Sequence, residues 1–242
     1  MTSIELDALA FSARIAFVTV LISFPLAILA ASWTGRRGLK GRWVLDALLL
    51  LPLGVSPAVI GWGVVTLLGP EGPAGDWLSK GEGWRAVAAP HALVLVACCL
   101  VLPLMIRTMR PAFEAVDLQQ IQTARTLGAS RWSAWWSVTM AQTLPMLASA
   151  TALGFAAAWG ESGASVVLAA ALQSRWPATA PDTVTVPLTL LSAMQTERGQ
   201  GIALRLSMAS LGVALAAMLL SEWARQRWRR RALPLDARGV SR

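Results

Sequence analysis

Few side chains in this 242-residue sequence could carry chemistry, and the most conspicuous is Glu161. It lies with Ser162, Gly163 and Ser165 in an otherwise apolar stretch, where an ionisable side chain is a candidate for function. Glu161 could instead lie at the edge of that stretch, solvated or bonded to nearby backbone. The single histidine, His91, has no acid in its own stretch to orient it as a catalytic base.

Other reactive groups lack the spacing that their chemistry needs. Cys98 and Cys99 are adjacent in an apolar run, so they form neither a disulfide framework nor a metal-ligand set. The sequence contains no G-x4-GK[ST] loop to hold phosphates. We therefore expect no catalytic, cofactor-binding or metal-binding residues on this chain.

The composition is that of a membrane protein. Hydrophobic residues make up 55% of the chain and charged residues only 14%, whereas a soluble domain carries about a quarter. The net charge of +8 comes from basic residues clustered in loops, so it does not indicate nucleic-acid binding. Because a membrane crossing needs about 20 apolar residues, we predict five spans. They cover about 10–34, 44–69, 86–106, 143–172 and 202–222.

The positions of lysine and arginine orient these spans. Residues 35–43 hold four basic side chains and no acid, and the tail 223–242 is also basic, so both are expected in the cytoplasm. The loop 107–142 then lies inside and 173–201 outside. We predict one transmembrane domain over 1–242, multi-pass in the cell (inner or plasma) membrane. It has five core helices, or six if 143–172 counts as two.

The second span is interrupted near its start. Pro52, Gly54 and Pro57 lie within a few residues of one another, and proline breaks the helical hydrogen-bond ladder. Irregular backbone at membrane depth is tolerated where it is buried in protein or lines a wet cavity. We predict a short helix, a break and a second helix from about Ala58, although a simple proline kink is the alternative.

The loop 107–142 is predicted to contain a helix from Pro111 to Leu127, ended by Gly128. Its apolar face would comprise Phe113, Val116, Ile121, Ala124 and Leu127. Such a helix could simply lie at the membrane surface without a partner. Three tryptophans follow, as is typical of a membrane interface: Trp132, Trp135 and Trp136.

The stretch Gln122-Thr-Ala-Arg-Thr-Leu-Gly128, with Val138 ten residues later and Pro145 beyond, resembles the cytoplasmic signature of ABC importer permeases. That signature reads E-A-A-x3-G, nine residues, then I-x-L-P. Here Gln122, Thr123 and Ala141 replace its first Glu, first Ala and Pro. The implied fold is an all-α integral membrane protein, the type I permease fold, with a cytoplasmic coupling helix.

Further segments resemble the permeases of molybdate importers. They are 57–61, 102–107, 124–132, 159–164 and 221–223. Sulfate, thiosulfate and tungstate permeases are close relatives, and no residue visibly selects the oxyanion. The molybdate-type resemblance implies two identical permeases, whereas sulfate relatives use two different ones.

The resemblance also implies partners and sites. A separate cytoplasmic ATPase would bind ATP and Mg, an external binding protein would deliver the oxyanion, and the basic tail would meet membrane lipid. The ATPase-docking residues would be Gln122, Thr123, Ala124, Arg125, Leu127, Gly128 and Ala129. Gly128 would allow close approach, so larger side chains there should clash.

The expected translocation pathway draws on hydroxyls and exposed amides, which can hold an oxyanion weakly enough for conduction. The candidate residues are Ser56, Pro57, Glu161, Ser162, Gly163 and Ser165. Glu161 suits a gating or structural hydrogen-bonding role better than an anion ligand. More distant alternatives are an intramembrane enzyme, which needs a nucleophile and base, and a secondary transporter, which often shows inverted repeats.

Overall fold

The structure is a computed structural model that describes residues 2–35, 42–68, 90–164, 166–167, 170, 185–196 and 199–232. Every regular element in these ranges is a helix, which confirms the predicted all-α class. In chain order they are α1 (Ser3–Thr34), α2 (Arg42–Gly54), α3 (Pro57–Leu68), α4 (Pro90–Glu114), α5 (Leu118–Thr126), α6 (Arg131–Ala134), a π-helix (Trp135–Met140), α7 (Ala141–Trp159), α8 (Val186–Met194) and α9 (Gln200–Ala232).

Three described helices are long and apolar enough to cross a membrane by themselves: α1, α4 and α9. The helices α2 and α3 meet the same test only together, and their axes differ by 99°. A short helix, a break and a second helix were predicted here, and the structure confirms that interruption. α2 ends at Gly54 and α3 starts at Pro57, a first-turn position where a missing backbone N–H costs nothing.

The run 143–172 is divided as well. α7 ends at Trp159, and the N–H of Gly160 closes its last turn on the carbonyl of Ala156 at 3.0 Å. Helical backbone resumes at Gly163 and Ala164. This run is therefore not one continuous helix.

The predicted helix from Pro111 to Leu127 is wrong in its start and in its continuity. α4 continues through Pro111 to Glu114, so 107–114 extends a membrane helix and is not loop. A separate helix, α5, begins after Asp117, whose side chain caps it. A strong N-cap favours a new helix start, whereas proline inside a long packed helix is tolerated when tertiary contacts hold both sides.

The predicted apolar face fails for the same reason. Phe113 belongs to α4 and packs against the core, and Val116 is buried in the connection between the helices. Leu127, assigned to the same face, is 83% exposed. The face was drawn on one continuous helix, and the break before α5 separates its members.

The core forms where α1, α4, α7 and α9 pack side by side. α1 presents small side chains, and Ala8, Ala16, Ala27 and Ala31 are all fully buried. On α7, a Cβ on Gly154 would lie 2.9 Å from the sulfur of Met105 on α4. Small residues let membrane helices approach closely, and close approach is what stabilises their packing.

One ion pair joins the start of α1 to α9. An Nη2 of Arg205 donates to Glu5 Oε1 at 2.6 Å, and the Glu5 side chain is fully buried. Burying a carboxylate requires such a partner. The contact holds α1 against α9 through two residues that are 200 positions apart in the sequence.

Candidate functional site

The docking segment, residues 118–129, comprises α5 and the turn that ends it. A carboxylate oxygen of Asp117 accepts the backbone N–H of Gln119 at 2.8 Å and starts the helix. No residue of α5 is buried, and Leu118 and Leu127 are 60% and 83% exposed. A short helix gains most of its stability from packing, so this exposed surface is suited to packing on another protein.

The end of the docking segment is a Schellman turn. The N–H of Ala129 donates to the carbonyl of Ala124 at 3.0 Å, and that of Gly128 to Arg125 at 3.1 Å. Gly128 has φ +95°, the left-handed conformation that this turn requires. Gly128 therefore ends the helix, as predicted.

The predicted clash of a larger side chain at 128 with a docking partner stays a prediction, but the chain itself gives a second reason for glycine at this position. No heavy atom beyond its chain neighbours lies within 4 Å of where a Cβ would stand. Within the described residues a larger side chain thus meets nothing, and any clash would have to come from a partner. The positive φ is what favours glycine here.

All seven candidate docking residues fall on this short stretch. Ala124 and Ala129 are half-buried, and the other five are exposed: Gln122, Thr123, Arg125, Leu127 and Gly128. The described residues provide no ion-pair partner for Arg125. The last turn of the segment therefore presents the exposed side chain of Leu127 and a positive charge, Arg125, that has no ion-pair partner among the described residues.

The docking segment is held to the membrane helices at its base. The Nε2 of Gln142 on α7 donates to Gln120 Oε1 at 2.6 Å. The intervening π-helix begins at a stack of tryptophans, with ring centroids of Trp132 and Trp135 5.1 Å apart. The docking segment is therefore joined to α7 both through the π-helix and through this side-chain hydrogen bond.

The second candidate site, the broken-helix site, brings together the two interruptions at Ser56–Pro57 and at 161–163. A Cβ on Gly163 would lie 3.2 Å from the Cβ of Pro57, and one on Gly61 3.1 Å from backbone atoms of Ala164. Only glycine permits such close packing. Both breaks were predicted from the sequence, and the structure places them in contact.

Glu161 has a structural contact at this site. Its Oε1 accepts the backbone N–H of Ala164 at 2.8 Å, so it caps the helical backbone that resumes after the break. This bond is structural, and a role of Glu161 in gating stays a prediction. Ser56 and Ser162 are exposed at the site, whereas Ser165 lies outside the described residues.

A charged network on the other half of α4 was missed by sequence reasoning. Arg110 pairs with Asp46 of α2 and, through Nε at 2.8 Å, with Glu114. Only the pair of Arg110 with Glu114 can be recognised from the sequence, because these residues are four apart on one helix. The network holds α2, and hence the broken-helix site, to the helix that leads into the docking segment.

Two cavities flank this part of α4, and Arg107 lines both of them. The larger, of about 690 Å³, lies among α4, α7, α9 and the end of α2. The smaller, of about 370 Å³, lies between α2 and α4. Among the described residues no group of three or more His, Cys, Asp or Glu side chains could hold a metal ion.

Comparison with known proteins assigns this architecture to a family. Residues 23–230 match the model of the family described as binding-protein-dependent transport system inner membrane component. A solved bacterial ABC transporter, involved in import of the acidic polysaccharide alginate, shares the fold. Its TM-score is 0.57 at 16% identity, and the match covers 95% of this chain and 80% of that one.

Two curated relatives illustrate the sequence similarity. The molybdenum transport system permease protein ModB of Escherichia coli K12 is 33% identical over 232 residues, which are 96% of this chain and 98% of ModB. The sulfate transport system permease protein CysT of the same organism is 31% identical over 159 residues. That match covers 64% of this chain and 55% of CysT.

Proposed function

Because the chain belongs to the family of binding-protein-dependent transport system inner membrane components, we propose that it is the membrane permease of an ATP-driven molybdate importer. The substrate assignment rests on the sequence similarity to ModB, which extends over nearly the full length of both chains. Family members are membrane subunits of transport systems, so the chain is a channel-forming subunit and not an enzyme.

In this proposal the ATPase is a separate cytoplasmic subunit, which binds ATP and Mg. The docking segment lies in a groove of that subunit, and its exposed Leu127 and Arg125 make the contact. Closure of the ATPase on ATP would pull the docking segments together and rock the helices toward the outside. Such coupling works if each partner binds one of two permease states better than the other.

The broken-helix site is the proposed pathway. Two helix breaks meet at Pro57 and Gly163, and the hydroxyl-bearing residues next to them, Ser56 and Ser162, are exposed. Such groups can hydrogen-bond an oxyanion weakly, as rapid passage requires. Glu161 shapes the site through its bond to Ala164.

The remaining assignments follow the same proposal. The permease lies in the inner membrane with its C-terminus in the cytoplasm, because the end of α9 carries Arg225, Arg227 and Arg229. An external binding protein delivers molybdate. A second copy of the chain completes the pathway, and the basic end of α9 contacts anionic lipid.

The test is ATP-dependent uptake of labelled molybdate by the chain reconstituted with its cognate ATPase and binding protein. We expect uptake that tungstate blocks and sulfate does not. Without ATP, or without the ATPase subunit, uptake should stop. Uptake that persists without an ATPase would instead indicate a secondary transporter.

Sulfate is the second candidate substrate, because sulfate permeases also match this chain. The match to CysT covers about two thirds of the chain, against nearly all of it for ModB. If sulfate competes with molybdate for uptake in the same experiment, the permease would be assigned to the sulfate transporters.

A further inference from the structure

The larger cavity extends from the end of α2 along α4, α7 and α9. Leu53, next to the residue that ends α2, lines one side of it. Arg107 lines it at about 10 Å from the docking end of α4, taking a rise of 1.5 Å per residue. Ser149 lies at about 12 Å from the start of α7 on the same scale. The lining residues on α4 lie between Leu104 and Pro111, so the cavity reaches toward the docking end of that helix.

The charges around this cavity do not balance. Three arginines line the two cavities, and two of them have acidic partners. Arg110 pairs with Asp46 and Glu114, and Arg225 pairs with Glu222 one turn away. Arg107 has neither an ion pair nor a hydrogen bond among the described residues.

An unpaired arginine in an otherwise largely apolar cavity attracts anions. Its planar guanidinium presents parallel N–H donors that match two oxygens of a tetrahedral oxyanion. The larger cavity is lined by Arg107 and Arg225 but by only one acid, Glu222, and an excess of positive charge in a cleft raises the local concentration of anions. The hydroxyls of Thr108, Ser149 and Ser221 also line the cavity, but each already takes part in a hydrogen bond within the protein, so binding stays weak and release stays fast.

We propose that Arg107 is a transient binding site for the transported oxyanion in the larger cavity, between the broken-helix site and the cytoplasm. This inference rests on the proposed function and adds a residue for anion passage that the sequence motifs do not identify. The same guanidinium could be met by the phosphate of an anionic lipid, and the experiment separates the two sources of anion.

The experiment uses the full chain in liposomes with its ATPase and binding protein, at limiting labelled molybdate. Arg107→Gln should lower the uptake rate about tenfold, the low end of what charge focusing supplies. Arg107→Lys should recover most of the rate, and Arg107→Glu should be worse than Arg107→Gln. The matched control, Arg14→Gln, removes a charge from an exposed position of α1 that lines neither cavity and should transport like wild type.

Two further readouts distinguish anion passage from a structural role. ATP hydrolysis stimulated by the loaded binding protein should persist in Arg107→Gln, so fewer anions move per ATP. The defect should be equal in vesicles of phosphatidylcholine alone and in vesicles that also contain phosphatidylglycerol. A defect that appears only with phosphatidylglycerol would assign Arg107 to lipid and overturn the proposal.

A cysteine variant separates the effect of charge at position 107 from any effect of the substitution on folding. In Arg107→Cys, with Cys98 and Cys99 changed to Ala, one purified sample is assayed before and after thiol modification. An aminoethyl methanethiosulfonate, which restores a positive charge, should raise uptake, and the sulfonatoethyl reagent should not. Equal responses to both reagents, or wild-type uptake by Arg107→Gln, would overturn the inference. Absence of uptake by the wild-type complex would instead refute the proposed function.

Discussion

Replacing Leu127 with alanine removes the large apolar side chain with the highest exposure in the described part of the chain, at 83%. Fully burying a leucine stabilises a contact by about 1.5–3 kcal/mol. Alanine keeps part of that surface, so Leu127→Ala should weaken ATPase docking by about 1–2 kcal/mol per permease. That corresponds to about a 5- to 30-fold higher Kd.

The same substitution should leave the permease itself intact. Leu127 follows the end of α5, where no residue is buried, and exposed substitutions usually change folding free energy by less than about 0.5 kcal/mol. The melting temperature of the purified permease should therefore be unchanged. A loss of docking without a loss of stability is the signature expected of a contact residue.

The assay measures ATPase binding to the permease in nanodiscs, with ATP-dependent molybdate uptake in parallel. The control is Leu144→Ala, a leucine that is 60% exposed on α7, away from the docking segment. Leu144→Ala should bind the ATPase like wild type. Equal affinities for wild type and Leu127→Ala would refute the docking role of this turn.

Three further changes test other parts of the structure. Gly128→Asp should insert in the membrane yet lose ATP-dependent uptake, since positive φ costs a non-glycine residue about 1–2 kcal/mol; failed insertion or full uptake would contradict this. Gly154→Val should lower the free energy of unfolding by about 1–3 kcal/mol, because Met105 and Val101 leave no room for the added atoms; an unchanged denaturation midpoint would be inconsistent with this packing. Arg205→Gln should lower the melting temperature more than Arg229→Gln, because it removes the positive charge that pairs with the buried Glu5 carboxylate; equal melting temperatures would argue against that pair.

Features set by local chemistry could be predicted well. The interruption near Pro52 and Gly54 follows from what proline and glycine do to a helix wherever they occur. The end of α5 at Gly128 follows from the need for positive φ in its turn. Charge depletion likewise indicated the membrane class without any knowledge of packing.

The prediction failed where two local signals competed. Pro111 favours a helix start, yet α4 passes through it, and Asp117 provides the actual start of α5. Sequence periodicity cannot tell which of two start signals is used, because packing of α4 against α1 and α7 decides how far α4 extends.

The sequence by itself determined the all-helical membrane class, the positions of both breaks and the exposed signature that became the docking segment. Tertiary structure alone decided which distant parts meet: Pro57 with Gly163, Arg110 with Asp46, and Arg205 with Glu5. The physical reason is that residue spacing reports which face of a helix is apolar, but not which helix covers it. Tertiary structure also decides that Arg107 has no ion-pair partner among the described residues, whereas the nearby Arg110 and Arg225 each pair with an acid.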